Sequence, residues 1–163
     1  MKDEQTEAFE QLCRDEYARL VRTAFLITGD REESLDLAQE ALARAYERWP
    51  TVSRLDRPGA WLCRVVANLA ISWRRRRRVR ERPAVQPPQA NDAIETPDPD
   101  LIASLKALAP AQRAAVVLRF YADLSVKETA QALNKRPGTV RALTSQGIAK
   151  LRRTLPGEVY DES

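Results

Sequence analysis

Apolar residues recur every three or four positions through most of the chain, which is the spacing of one face of an α-helix. The first stripe predicts a helix over about Glu4–Ile27, ended by Thr28-Gly29-Asp30. The second predicts a helix over about Arg31–Trp49, which Pro50 ends. No segment alternates apolar and polar residues as a half-buried strand does. The pattern therefore predicts an all-α fold.

A third helix is predicted from Pro58, because proline lacks the N–H that the first turn of a helix leaves unbonded. The loop Thr51–Arg57 precedes it, and its apolar stripe ends in the arginine run Arg74–Arg78. Beyond the run, Arg82–Pro99 is rich in Pro, Gln, Asn and Asp. Such a composition cannot bury enough apolar surface to order itself, so we predict a flexible linker here.

The second half of the sequence carries the signals of a helix-turn-helix. Helices are predicted over about Pro99–Leu108 and from Pro110. Ser125-x-x-Glu128 then forms a capping box at the start of a helix pair. Asn134 lies where the chain must turn, and asparagine tolerates the left-handed conformation. The last helix is predicted over about Pro137–Leu155, and in a helix-turn-helix this second helix enters the DNA major groove.

These elements divide the chain into two small helical domains on a tether. We predict one domain over residues 1–82, a Pro-rich linker over 83–98, a helix-turn-helix domain over 99–156 and an acidic tail over 157–163. The formal net charge is only +4, but basic and acidic residues are segregated along the chain. Segregated charge favours a polyanionic partner over a randomly solvated surface.

Composition narrows the chemistry that we expect. There is no histidine, which excludes Ser-His triads and most zinc sites, and the carboxylates are dispersed, so we expect no metal, no cofactor and no enzyme activity. The acidic N-terminus lacks a signal sequence, and no apolar run approaches the roughly 20 residues of a membrane span, so we expect a cytoplasmic location. Cys13 and Cys63 are predicted to be two buried thiols.

Three groups of side chains are candidates for binding, and each has a plainer interpretation. The start of the last helix presents polar and basic groups to DNA, or it is a solvated basic face. The arginine run and the tryptophans near it meet a polyanion and unpaired bases, or they are a solvated helix end and core aromatics. The outer side of the second helix is a docking surface for a large protein, or it is solvated.

Four stretches together resemble a bacterial RNA polymerase sigma factor of the extracytoplasmic-function (ECF) group, and most closely its actinobacterial SigE family. Tyr17–Trp49 is similar to the segment that docks on polymerase, and Arg57–Arg78 to the helix that opens and holds the −10 promoter element. Leu105–Leu133 and Gly138–Arg153 are similar to the domain that reads the −35 element. The resemblance implies a promoter-specificity subunit that binds promoter DNA and the beta and beta-prime subunits of core polymerase.

The resemblance also implies which residues carry each contact. The surface that grips core polymerase is Asp36, Gln39, Glu40 and Arg44. The −10 element meets Arg54, Asp56, Arg57, Trp61, Arg64, Asn68, Trp73, Arg74, Arg75, Arg76, Arg77 and Arg78. The −35 element meets Arg136, Pro137, Gly138, Thr139, Arg141, Ala142, Ser145, Gln146 and Lys150. An anti-sigma factor is a further candidate partner, and neither a membrane nor a small-molecule substrate is expected.

Some positions depart from the family pattern. Many members carry Ser and Arg where this chain has Ala142 and Leu143, and Arg where it has Gln146. The resemblance therefore implies an altered −35 preference. Two other functions remain open at this point. A stand-alone helix-turn-helix regulator would bind operators as a dimer without polymerase, and an enzyme acting on nucleic acid would need a metal-ligand cluster that the sequence lacks.

Overall fold

The first half of the molecule is a body of three long helices. A computed structural model describes residues 2–80 and 98–155, with side chains over 3–77 and 98–155. Helix α1 spans Lys2–Thr28, α2 spans Arg31–Glu47 and α4 spans Pro58–Arg80. These three helices pack against one another through mainly small and branched apolar residues. The core positions are Leu20, Val21, Ala24, Ala38, Ala41, Leu62, Val66 and Ala70.

A short helix, α3 (Trp49–Val52), stands where the sequence predicted a helix end and a loop. The second helix ends at Glu47, and Pro50 lies in the first turn of α3 instead of acting only as a stop. Proline is tolerated there because the N–H groups of a first turn have no partner within the helix. Leu55 and its neighbours then form the turn that leads into α4.

The second half is built from shorter helices. Helix α5 spans Pro99–Lys106, α6 spans Pro110–Val116, α7 spans Val126–Leu133 and α8 spans Pro137–Thr154. Between α6 and α7 the chain forms a π-helical turn, Val117–Tyr121. Helix α8 packs on α6 and α7, and its core includes the fully buried Leu118, Leu124 and Val140. Within 2–80 and 98–155 no strand occurs, so the all-α prediction is confirmed.

The predicted helix-turn-helix is present with its expected local signals. The Ser125 N–H donates to Glu128 Oε1 and the Glu128 N–H donates to Ser125 Oγ, both at 3.0 Å. Asn134 takes the left-handed conformation with φ 54° and ψ 49°, and the following Lys135 N–H donates to Ala130 O at 3.0 Å. This turn sets the angle at which α8 crosses α7.

Gly147 lies where α8 approaches α6 closely. A Cβ added at this buried glycine would lie 2.6 Å from Val116 Cγ2 and 3.4 Å from the Gln112 carbonyl oxygen. The absence of a side chain is therefore what lets the two helices touch.

We expect Gly147→Ala to lower the free energy of unfolding by about 1–3 kcal/mol, because Val116 must shift to accept the new methyl group. Gly138→Ala is the matched control, since no atom lies within 4 Å of a Cβ at that position. The control should be neutral or more stable by about 0.5 kcal/mol, because alanine restricts the unfolded chain. Urea unfolding followed by circular dichroism measures both, and equal stabilities of the two variants would contradict the close crossing.

The two halves of the molecule contact each other. Helix α4 packs on α7, and α1 packs on α6 and on the π-helical turn. We call this contact the seam. The two cysteines lie in the first half, where Cys63 is fully buried and Cys13 is half-buried, so the prediction of two buried thiols is right for Cys63 only. Among the described helices, none is both long and apolar enough to cross a membrane.

Candidate nucleic-acid interface

The start of helix α8 presents a continuous exposed surface. Pro137 occupies the first turn of the helix, where its fixed φ suits the entry. The predicted −35 residues that are exposed here are Arg136, Pro137, Gly138, Thr139, Arg141, Ala142 and Ser145. The side that faces the core carries Val140, which is fully buried. The exposed side thus combines two arginines with small and hydroxyl-bearing neighbours, so a DNA edge could approach it closely.

Two predicted −35 residues lie further along α8 and bond to protein. Gln146 Oε1 accepts a hydrogen bond from Gln112 Nε2 at 3.2 Å. Lys150 Nζ donates to Gln112 Oε1, also at 3.2 Å. Both side chains are exposed apart from these bonds. The amide of Gln112 therefore ties α6 to α8 along the edge of the surface, and DNA contact by Gln146 or Lys150 would compete with these bonds.

The arginine run divides into two kinds of position. Arg75 and Arg76 are exposed, whereas Arg74 and Arg77 turn toward α1 and α2. Arg74 Nη1 donates to the Ile27 carbonyl oxygen at 3.0 Å, near the C-terminus of α1, where a cation is favourable. Arg77 Nη1 forms an ion pair with Asp30 Oδ2 at 3.1 Å. The side chain of Arg78 lies outside the described residues.

Arg77 also stacks on the predicted base-binding Trp73. Its guanidinium carbon lies 4.9 Å from the centre of the Trp73 ring, within the range of a cation–π contact. Trp73 is half-buried and packs against the core. One face of the Trp73 ring is therefore covered by the Arg77 guanidinium.

The remaining predicted −10 residues lie on α4 and on the turn before it. Trp61, Arg64 and Asn68 are spaced by three and four residues, so they share one side of α4, and Arg75 follows on the same side. Trp61 and Arg64 are half-buried, and Asn68 is exposed. Arg54, Asp56 and Arg57 are exposed in the preceding turn. The helical members of this set thus lie along one side of α4, and the exposed turn residues precede them in the chain.

The predicted polymerase-binding residues share the outer side of α2. Asp36, Gln39, Glu40 and Arg44 are all exposed. Arg44 Nε forms an ion pair with Glu40 Oε1 at 3.2 Å, across one helical turn. Exposed pairs of this kind contribute only a few tenths of a kcal/mol, so a partner could rearrange them at little cost.

The seam holds groups that the sequence gave no reason to pair. Arg57 Nη1 lies 3.0 Å from Glu128 Oε1, and Arg57 Nη2 donates to the Asp123 carbonyl oxygen at 3.3 Å. Arg19 donates to the carbonyl oxygen of Ala122. Partial burial opposes the charged form of Glu128, but hydrogen bonds from Ser125 and the nearby Arg57 prevail and lower its pKa. Arg57, a predicted −10 contact, is therefore occupied by the second half of the molecule.

Arg113 is a buried charged residue at the seam that the sequence analysis did not single out. It is 1% exposed, and its Nε donates to the Leu26 carbonyl oxygen across the seam at 2.5 Å. Burial, and secondarily the charge of Arg74, lowers its pKa to about 9. Its position one helical turn before the buried Val117 was the available signal, since that spacing places it on the inner side of the helix.

Comparison with known proteins identifies both halves. The family description "Sigma-70 region 2" matches residues 12–80, and "Sigma-70, region 4" matches residues 100–151. The chain is 39% identical to the RNA polymerase sigma-E factor of Streptomyces coelicolor, over 94% of this chain and 89% of that protein. It is 32% identical to the ECF RNA polymerase sigma factor SigL of Mycobacterium tuberculosis, over 86% of this chain and 85% of that protein.

A solved structure shares the fold as well. The sigma factor RpoE of Bartonella quintana, crystallised in complex with the anti-sigma factor NepR, superposes with a TM-score of 0.75. It is 21% identical, and the match covers 93% of this chain and 99% of that one. The order of two sigma regions, the helix-turn-helix geometry and full-length relatives agree with one another. The chain therefore belongs to the ECF group of RNA polymerase sigma factors.

Proposed function

We propose that residues 1–82 bind core RNA polymerase and the −10 element, and that residues 99–156 bind the −35 element, joined by the linker 83–98 and followed by the acidic tail 157–163. The observation that carries this division of roles is the pair of separate exposed cationic surfaces. One lies at Arg75 and Arg76 on α4, and the other lies at Arg141 on α8. Each falls within its own matched sigma region.

On the first half, we propose that α2 grips the beta and beta-prime subunits through Asp36, Gln39, Glu40 and Arg44. The −10 strand would then run along the side of α4 that carries Trp61, Asn68 and Arg75. Stacking on an aromatic ring and neutralisation of phosphates are the interactions that hold an unpaired strand. Arg74 hydrogen-bonds to the Ile27 carbonyl oxygen and Arg77 pairs with Asp30, which supports a role for both in holding α4 in place. Arg75 and Arg76 are then the members of the run that would meet DNA.

The seam must open before both elements can be bound at once. A compact body of this size has a radius of gyration of about 15 Å. Promoter elements centred at −10 and −35 lie about 85 Å apart along the duplex, at about 3.4 Å per base pair. The residues between 80 and 98 can extend by at most about 60 Å. We infer that binding to polymerase separates the two halves and releases Arg57 from Glu128.

The remaining parts of the proposal concern partners and place. We propose that the protein acts in the cytoplasm with polymerase and promoter DNA, and that it is not an enzyme by itself. An anti-sigma factor is a candidate partner, since the Bartonella protein of the same fold was crystallised with one. A stand-alone regulator that binds operators as a dimer would leave the first half, with its α2 and α4 surfaces, without a role.

Run-off transcription with purified core polymerase on a library of promoter sequences tests this proposal. We expect transcripts that depend on both the protein and the polymerase, initiated at one class of promoter. A gel shift with the protein alone on the same promoters should show only weak binding. Tight, sequence-specific binding by a dimer without polymerase, together with no transcript, would favour the stand-alone regulator instead.

A further inference from the structure

A cationic pocket of about 320 Å³ lies at the seam. The first half contributes the loop Thr28-Gly29-Asp30 together with Trp73, Arg74 and Arg77, and the second half contributes Lys106 and Arg113. The volume falls in the range of small-ligand sites. Since both halves line it, a ligand held here would touch each of them.

The charges in this pocket are unbalanced. Among the described residues that line it, two arginines of α4, Lys106 of α5 and Arg113 of α6 face one carboxylate, Asp30. That carboxylate is already paired with Arg77 at 3.1 Å. The cationic ends also converge, because a Cβ built on Gly29 would lie 3.1 Å from Lys106 Cε and 3.6 Å from Arg113 Nη2.

Arg113 supplies a second and independent observation. Its side chain is 99% buried, and Nη2 has no hydrogen-bond partner among the described residues. A buried charged donor without a partner is costly and calls for an explanation. An anion in the pocket would complete its hydrogen bonds and offset the repulsion between Arg113 and Arg74, which lowers the pKa of Arg113.

We propose that this pocket binds a multiply charged phosphate anion, namely a diphosphate group, and that the bound anion joins the two halves across the seam. Guanidinium groups match phosphate oxygens with paired hydrogen bonds, which is why the arginines favour this chemistry. A single phosphate carries at most about two negative charges. A diphosphate fits the excess of cations better. The anion site does not depend on the promoter-binding proposal.

Titration calorimetry of the full chain with sodium pyrophosphate tests the site, and thermal unfolding at constant ionic strength provides a second readout. We expect saturable binding, a rise in Tm with pyrophosphate, weaker binding of inorganic phosphate and no specific effect of chloride. The same titrations are then repeated with adenosine diphosphate and guanosine diphosphate. If either nucleotide binds more tightly than pyrophosphate, the diphosphate group belongs to a nucleotide whose base contacts Trp73. If both bind equally or more weakly, the ligand is free diphosphate.

Two variants and a control make the test specific. Lys106 is exposed at the rim, so Lys106→Gln should fold normally and weaken pyrophosphate binding by about fivefold. Lys127→Gln removes the same charge from an exposed position on α7 outside the pocket and should leave binding unchanged. Arg113→Met should abolish the pyrophosphate-dependent rise in Tm.

Arg113→Met also separates an anion site from a merely structural arginine. Without added anion, this variant should change Tm little, because removal of a poorly compensated buried charge offsets the loss of the hydrogen bond to the Leu26 carbonyl oxygen. Two results would overturn the proposal: no saturable binding at millimolar pyrophosphate, or equal affinities of Lys106→Gln and Lys127→Gln. Because the assay contains neither polymerase nor DNA, such a failure would leave the proposed function in promoter recognition untouched.

Discussion

Replacing Arg75 and Arg76 together by alanine should slow open-complex formation by on the order of 10- to 100-fold, with affinity for core polymerase nearly unchanged. Both side chains are exposed on α4, whereas their neighbours Arg74 and Arg77 bond to Ile27 and Asp30. Two lost phosphate contacts should also lower the dependence of promoter binding on salt by a slope of about 1.4 to 1.8. The first half should fold normally, because neither side chain packs into the core.

A matched control removes two positive charges elsewhere. Arg14→Ala combined with Lys127→Ala changes exposed residues outside every proposed contact surface. Permanganate footprinting of the −10 region measures strand opening, and a fluorescence assay with labelled core polymerase measures binding. Equal losses in opening and in polymerase binding would place Arg75 and Arg76 in the polymerase contact. If the double variant and the control open the −10 region equally well, Arg75 and Arg76 are only a solvated helix end.

Arg141→Ala should cost about 1–3 kcal/mol in promoter binding and relax the preference at one base pair of the −35 element, if Arg141 reads a base edge. Arg141 is the exposed arginine beside the small Ala142 and Ser145, so a base pair can approach it. A loss of this size is roughly 5- to 150-fold in affinity.

The experiment for Arg141 is a competition assay with holoenzyme on promoters that differ at single −35 positions. Gln146→Ala serves as the comparison on the same helix, because its side chain already bonds to Gln112 and should contribute less to DNA binding. An unchanged preference with a salt slope smaller by about 0.9 would reassign Arg141 to a phosphate. In that case the −35 sequence must be read by neighbouring residues of α8.

The parts of the fold that depend on neighbouring residues could be predicted from the sequence. The Ser125–Glu128 capping box and the left-handed turn at Asn134 are each set by hydrogen bonds between residues at most five positions apart, and both are confirmed. The start of α4 at Pro58 follows the same logic. Pro50 was interpreted as a stop, but it begins a short helix, since proline is as compatible with a first turn as with an end.

The seam could not be predicted, because it pairs residues that are far apart in the sequence. Arg57 and Glu128 meet only after both halves have folded and docked. The division of the arginine run has the same origin, because the Ile27 carbonyl and Asp30 select Arg74 and Arg77 through the packing of α1 against α4. The family resemblance supplied the list of candidate contact residues. The three-dimensional packing shows which of these side chains are exposed and which already bond to other parts of the protein. The contacts themselves stay predictions.

The closed seam has a consequence for how this protein competes for a limited supply of polymerase. If only a fraction of molecules is open at any moment, the apparent dissociation constant for polymerase rises by the inverse of that fraction. A seam more stable than the open form by about 2.7 kcal/mol would weaken apparent binding about 100-fold. A substitution at Arg19, which bonds across the seam to the Ala122 carbonyl oxygen, should therefore change the share of transcription that depends on this factor while leaving its proposed contacts with polymerase and DNA intact.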